Sequence, residues 1–177
     1  MALDLASLVV DVPDFPQPGV TFKDITPLIA SPTGLAAAVE GLVRASARDV
    51  DVVVGMEARG FIVGAPVALA LGVGFVPVRK PGKLPRATVS VTYDLEYGTE
   101  TLAMHADAIA PGARVLVVDD VLATGGTVVA TADLVRRVGG EVAQVAVLME
   151  LEFLGGRARL AEHGLDRVTA LIRSGPA

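Results

Sequence analysis

The residue pattern predicts an α/β fold built on a largely parallel sheet, and three observations carry that prediction. Short β-branched runs recur at Val50–Gly55, Val73–Val78, Arg114–Asp119, Val142–Met149 and Val168–Ile172. Segments with apolar residues at helical spacing separate most of these runs. Glycine and proline punctuate the boundaries. Strands alternating with helices need crossover connections, and these go with parallel pairing. The chain has 177 residues, 52% hydrophobic and 4% aromatic, so its apolar mass is alanine, valine and leucine. That suffices for one domain, expected to span 1–177, with its own core. The apolar fraction excludes intrinsic disorder, and the absence of cysteine excludes a disulfide scaffold. A formal charge of −5 argues against a nucleic-acid partner, which needs a basic face.

The elements follow in chain order. Residues 12–32 are proline-rich without clear periodicity and read as an irregular lobe beside the sheet. Ser31-Pro32 is an N-cap followed by proline in the first helical turn, and Leu35, Val39, Leu42 and Val43 continue a helix to about Arg48. The Val50–Gly55 strand comes next. The uncharged run Gly60–Val78 is about as long as a membrane span, ~20 residues. Gly72-Val73-Gly74 and Pro77 break it, so it reads as a buried helix followed by a strand. The N-terminal residues lack a basic segment and carry Asp4 and Asp11, unlike a secretory signal. No membrane association and a cytoplasmic location are expected. Thr88–Tyr93 and Thr99–Met104 alternate as a hairpin across Asp94–Gly98. After the Arg114–Asp119 strand, a helix begins near Gly125 and ends at Gly139-Gly140. Strand Val142–Met149, helix Leu154–His163 and strand Val168–Ile172 complete the chain.

The strongest chemical signal is the stretch from Val115 to Thr127. A buried strand delivers Asp119 and Asp120 at its C-terminal end, and the small turn Ala123-Thr124-Gly125-Gly126-Thr127 opens a helix. Ligands of open α/β sheets bind at that edge. The turn's N–H groups, the hydroxyls of Thr124 and Thr127 and the helix dipole suit a phosphate. Two carboxylates repel phosphate but accept hydrogen bonds from ribose hydroxyls. No Gly-Lys-Ser/Thr is present, so this is not a P-loop. Two isolated histidines and no cysteine make a protein-held metal unexpected. Other segments are less specific on their residues alone. Gly55-Met56-Glu57-Ala58-Arg59-Gly60 is a second loop at the same sheet edge and reads as an ordinary βα turn. Arg79-Lys80-Pro81-Gly82-Lys83 is a solvated basic turn or a phosphate clamp. Phe15 and Phe22 read as plugs in the core of the N-terminal lobe. Glu150, Glu152, Arg157 and Arg159 read as surface charges.

The Val115–Thr127 segment resembles the phosphoribosyl pyrophosphate signature of the type I phosphoribosyltransferases. The resemblance extends over nearly the whole chain to the adenine phosphoribosyltransferases. It rests on Asp14–Ile25, Glu57–Phe61, Arg79–Pro85 and Tyr93–Gly98, in the family's order and spacing. It implies the type I phosphoribosyltransferase fold, a mainly parallel sheet flanked by helices, with residues 12–32 forming most of a base-binding hood. It implies purine salvage: adenine and 5-phosphoribosyl 1-pyrophosphate give AMP and pyrophosphate, with Mg²⁺ bound mainly through the substrate. Glu96 would then be the proton-transfer residue, with Tyr97 and Arg59 beside the reacting atoms. Asp119 and Asp120 would hold the ribose, and Ala123, Thr124, Gly125, Gly126 and Thr127 the 5′-phosphate. Ala58, Arg59, Arg79, Lys80 and Lys83 would hold the pyrophosphate, with a cis peptide in the Glu57–Arg59 loop that residue type alone does not dictate. Phe22 would stack on adenine, with Thr21 and Lys23 reading its edge through main chain. The resemblance also implies a homodimer, a basic residue matching Arg79 reaching the neighbouring site. Ala123 stands where relatives acting on 6-oxopurines place aspartate, which favours adenine. Two alternatives remain: a transferase for another purine base, and a non-catalytic sensor of phosphoribosyl pyrophosphate.

Overall fold

The computed structural model describes residues 3–94 and 98–175. A 3₁₀ turn at Leu5–Leu8 leads into β1 (Val10–Val12), β2 (Phe22–Asp24) and α1 (Thr26–Ala30). Then come α2 (Pro32–Ala45), β3 (Val52–Met56), α3 (Arg59–Leu71) and β4 (Gly74–Val78). The hairpin β5 (Thr88–Asp94) and β6 (Thr99–His105) precedes β7 (Arg114–Leu122) and α4 (Gly126–Arg137). Strand β8 (Glu141–Leu151), a 3₁₀ turn at Glu152–Leu154, α5 (Gly156–Glu162) and β9 (Val168–Ser174) finish the chain.

Five strands form one all-parallel sheet in the order β4-β3-β7-β8-β9. The pleat sorts the β-branched runs onto two faces. Val115 and Val117 meet α4, α5 and the β5–β6 hairpin, while Leu116 and Val118 meet α2 and α3. Both faces are covered, which explains the near-continuous apolar strands. The chain leaves β3 toward β4 on one side and β7 toward β8 on the other, so the winding reverses between β3 and β7. Such a switch point opens a crevice beyond the strands' C-terminal ends.

Three details depart from expectation. The N-terminal lobe is not wholly irregular: β1 and β2 pair antiparallel, and α1 packs Leu28 into a third cluster with Leu148 and Ile172. Prolines between two three-residue strands hide that pairing from any periodicity. The Gly60–Val78 run does divide into α3 and β4, but α3 is only half buried: Val63 and Val67 are covered while Ile62 and Leu69 are exposed. Among the described residues no helix is long and apolar enough to cross a membrane. Strand β7 does not stop at Asp119. Its pairing with β3 ends at Val118, but its pairing with β8 runs on to Leu122.

Candidate active site

The extension of β7 builds the centre of the site. Beyond Val118 the side of β7 facing β3 is open, and there Asp119 and Asp120 sit, 8% and 6% exposed. Asp119 Oδ1 accepts from the Asp120 amide at 2.9 Å. Burial, and then the Asp120 charge, push the Asp119 carboxyl well above its ordinary value. Arg59 Nε lies 2.8 Å from Asp120 Oδ2. Its N–H is not aimed at that oxygen, which is buried without an aligned donor. The pair is therefore a charge contact that leaves a buried carboxylate oxygen without a hydrogen-bond donor. Gly60 permits the approach: a Cβ there would stand 2.7 Å from Asp119 Oδ1.

Two loops flank the acids. After β3, the Glu57–Ala58 peptide is cis, a point the sequence left open, and Arg59 opens α3. After β7, the Ala123–Gly125 turn enters α4 through Gly125 at φ 82, a left-handed conformation that favours glycine. A hollow of about 60 Å³ lies within this turn, lined by Asp119 and residues 121–128, with Thr124, Gly125, Gly126 and Thr127 among them. It is an anion-sized nest at a helix N-terminus.

The main cavity, about 760 Å³, is large enough for a nucleotide-sized ligand. It gathers Thr21, Phe22, Lys23, Ala58, Arg59, Lys80, Asp119, Asp120, Ala123 and Thr127 from four separate stretches. Phe22 meets Phe15 edge-to-face at 5.2 Å, and the Arg59 guanidinium lies 5.5 Å from its ring centre. Lys23 pairs its side chain with Asp11 at 2.7 Å, so that ammonium is not turned to a ligand. Arg79 does not line the cavity: its Nε donates to Glu57 at 2.8 Å and its Nη1 to the Lys83 carbonyl at 3.2 Å. Lys83 itself stands exposed outside it. Glu96 and Tyr97 lie outside the described residues.

Sequence reasoning missed one wall. Leu151, Phe153 and Leu154 line the cavity along with Phe22, from the stretch that follows β8. The expected helix Leu154–His163 begins only at Gly156, after the 3₁₀ turn and Gly155 at φ 68. The signal was available: this is a third connection at the same strand ends, and its Phe-Leu pair stands before two glycines. Tyr93 and Glu100 of the hairpin were also missed and also line the cavity. Glu150 and Arg157 are not surface charges. Glu150 is 3% exposed because β8 extends past it, and Arg157 Nε donates to it at 2.9 Å. Arg157 Nη1 also donates to the Val168 carbonyl at 2.8 Å, so this ion pair ties the start of α5 to β8 and β9.

Comparison with known proteins agrees with the geometry. A family model for the phosphoribosyl transferase domain matches residues 26–168. A curated adenine phosphoribosyltransferase of Cutibacterium acnes is 61% identical over 168 residues, covering 95% of each chain. The crystal structure of adenine phosphoribosyltransferase from Thermoanaerobacter pseudethanolicus superposes with a TM-score of 0.91 at 48% identity, covering 96% of this chain and 98% of that one. The Giardia lamblia enzyme complexed with 9-deazaadenine gives a TM-score of 0.89 at 38% identity, covering 97% and 96%. With the signature turn, the paired acids and the hooded cavity at one strand edge, the chain belongs to the phosphoribosyl transferase domain family, among its adenine phosphoribosyltransferases.

Proposed function

We propose that the cavity joins adenine to 5-phosphoribosyl 1-pyrophosphate, releasing pyrophosphate and AMP, as a purine-salvage transferase of the cytoplasm. The observation that carries the reading is the placement, in one crevice, of an anion nest, a buried acid pair and an aromatic wall. The 5′-phosphate occupies the Ala123–Thr127 turn, whose hollow suits it. The ribose hydroxyls donate to Asp119 and Asp120, both of which line the cavity. Adenine lies between Phe22 and the Leu151–Leu154 wall, its edge read by main chain at Thr21 and Lys23. Ala123 keeps a carboxylate away from the base, which suits adenine over a 6-oxopurine.

The pyrophosphate leaves against the Ala58 backbone, with Arg59 and Lys80 neutralising the charge that grows on it. Glu96 moves the purine proton, with Tyr97 beside it. Mg²⁺ would be held mainly through the substrate, and the all-oxygen carboxylates of Asp119 and Asp120 would suit a hard cation that keeps its waters. When bound, the metal supplies charge neutralisation on the leaving group. The molecule is a single domain with residues 12–32 as the hood, and it works as a homodimer. Arg79 and Lys83 do not line their own chain's cavity, which supports a basic residue serving the neighbouring site. The exposed Ile62 and Leu69 on α3 offer an apolar stripe of the kind a second copy covers.

A pair of variants separates the two halves of the cavity. Phe22→Ala should raise KM for adenine by roughly tenfold or more, the size of a lost aromatic stack, with KM for phosphoribosyl pyrophosphate nearly unchanged. Asp120→Asn should do the reverse. Steady-state kinetics with each substrate varied in turn provides the check, and an unchanged adenine KM in Phe22→Ala would remove the stacking role.

A further inference from the structure

The cations that line the cavity are already paired. Lys23 lies against Asp11, Arg59 against Asp120, and Lys80 Nζ against Glu100 Oε1. The last pair belongs to a longer chain of contacts. The Tyr93 hydroxyl donates to Glu100 Oε2 at 2.9 Å and lies 3.1 Å from Thr127 Oγ1. Tyr93 has one proton and gives it to the carboxylate, so Thr127 is the donor in the second contact. Lys80, Glu100, Tyr93 and Thr127 all line the same cavity. One end of the chain is a lysine assigned to the pyrophosphate, and the other is a hydroxyl assigned to the 5′-phosphate. Both donors are turned onto the protein's own acceptors. The hairpin strands that hold Tyr93 and Glu100 face one another directly, Tyr93 opposite Glu100.

We propose that Glu100 is a positioning residue that stands in for the substrate's anion: it holds Lys80, and through Tyr93 the Thr127 hydroxyl, until the pyrophosphate-bearing substrate replaces it. The inference rests on the phosphoribosyl pyrophosphate reading of the cavity. Its physical content is a competition. Lys80 cannot give the same N–H groups to Glu100 and to a phosphate oxygen, and a carboxylate beside a polyanion repels it. Lys80 holds the Glu100 carboxyl below its ordinary value, so the competitor is ionised at neutral pH. The exchange keeps the empty site charge-balanced and weakens the grip on departing pyrophosphate.

Glu100→Gln tests this, because the amide keeps an acceptor for Tyr93 and loses only the charge. Calorimetric titration with inorganic pyrophosphate, and separately with phosphoribosyl pyrophosphate, should show Kd lowered about two- to fivefold, the scale of a part-exposed ion pair. The tightening should at least halve in a Lys80→Ala background. An unchanged circular dichroism spectrum and Tm in Glu100→Gln serve as the folding control. Unchanged or weaker binding in Glu100→Gln would overturn the inference. Equal tightening with and without Lys80 would overturn it too, since Glu100 would then act by net charge alone. Wild-type protein that binds neither compound would sink the underlying reading of the cavity instead.

Discussion

Replacing Glu96 by alanine is expected to lower kcat by roughly 10²–10⁴-fold, the usual worth of a positioned acid–base group. The affinity for phosphoribosyl pyrophosphate should hardly move. The proposed contacts to that substrate come from Asp119, Asp120, the Ala123–Thr127 turn and Lys80, all on other segments. The hairpin arms that flank Glu96 are independently secured. Tyr93 contacts Thr127 and Glu100, and Thr92 and Thr101 hydroxyls meet across the strands at 2.8 Å. Removing a side chain at 96 therefore leaves the supports of the ribosyl site in place. Single-turnover rates and direct binding of phosphoribosyl pyrophosphate separate the two effects. Parallel loss of rate and affinity would make Glu96 a binding residue.

Gly156→Ala is expected to damage the site from behind it. A Cβ at Gly156 would stand 2.2 Å from the Ala123 carbonyl oxygen and 3.0 Å from Leu122 Cδ1. The first is backbone and cannot rotate away, so α5 and the phosphate turn must separate. Gly125 meets the same neighbour, with its notional Cβ 3.0 Å from Gly156 O. The contact joins the turn proposed for the 5′-phosphate to the segment carrying Phe153 and Leu154. Overpacking of this kind costs about 1–3 kcal/mol. For a chain of this size that lowers Tm by several degrees, at roughly 2–4 °C per kcal/mol. Binding of phosphoribosyl pyrophosphate should fall by about tenfold or more, because the anion nest tolerates little displacement. Gly74→Ala is the control, since its added carbon would meet only Val52, at 3.9 Å. Wild-type binding in Gly156→Ala would show that the turn and α5 are not coupled.

The contrast between these residues explains what could be read from sequence. The parallel sheet was legible because buried β-branched runs announce themselves locally, and the Ala123–Thr127 turn because glycine and threonine follow such a run. The extension of β7 through Leu122 was not, since pairing with β8 holds those residues extended after β3 has ended. The fates of Glu100 and Glu150 were hidden for the same reason. A single carboxylate reads as surface until tertiary packing supplies Lys80 or Arg157. The wall at Leu151–Leu154 was not legible because the expected strand ends at Met149 and the expected helix takes in only Leu154, which leaves Leu151 and Phe153 between elements with no local pattern. The hood was opaque where proline removed periodicity, and only the resemblance gave Phe22 a role beyond packing.

The central claim is that this cavity makes AMP. The most direct measurement is to incubate the protein with phosphoribosyl pyrophosphate, Mg²⁺ and equal amounts of adenine, hypoxanthine and guanine, and to separate the nucleotides formed. AMP should form with stoichiometric pyrophosphate and little IMP or GMP. Well-folded protein that forms no AMP, or forms IMP or GMP in preference, would contradict it.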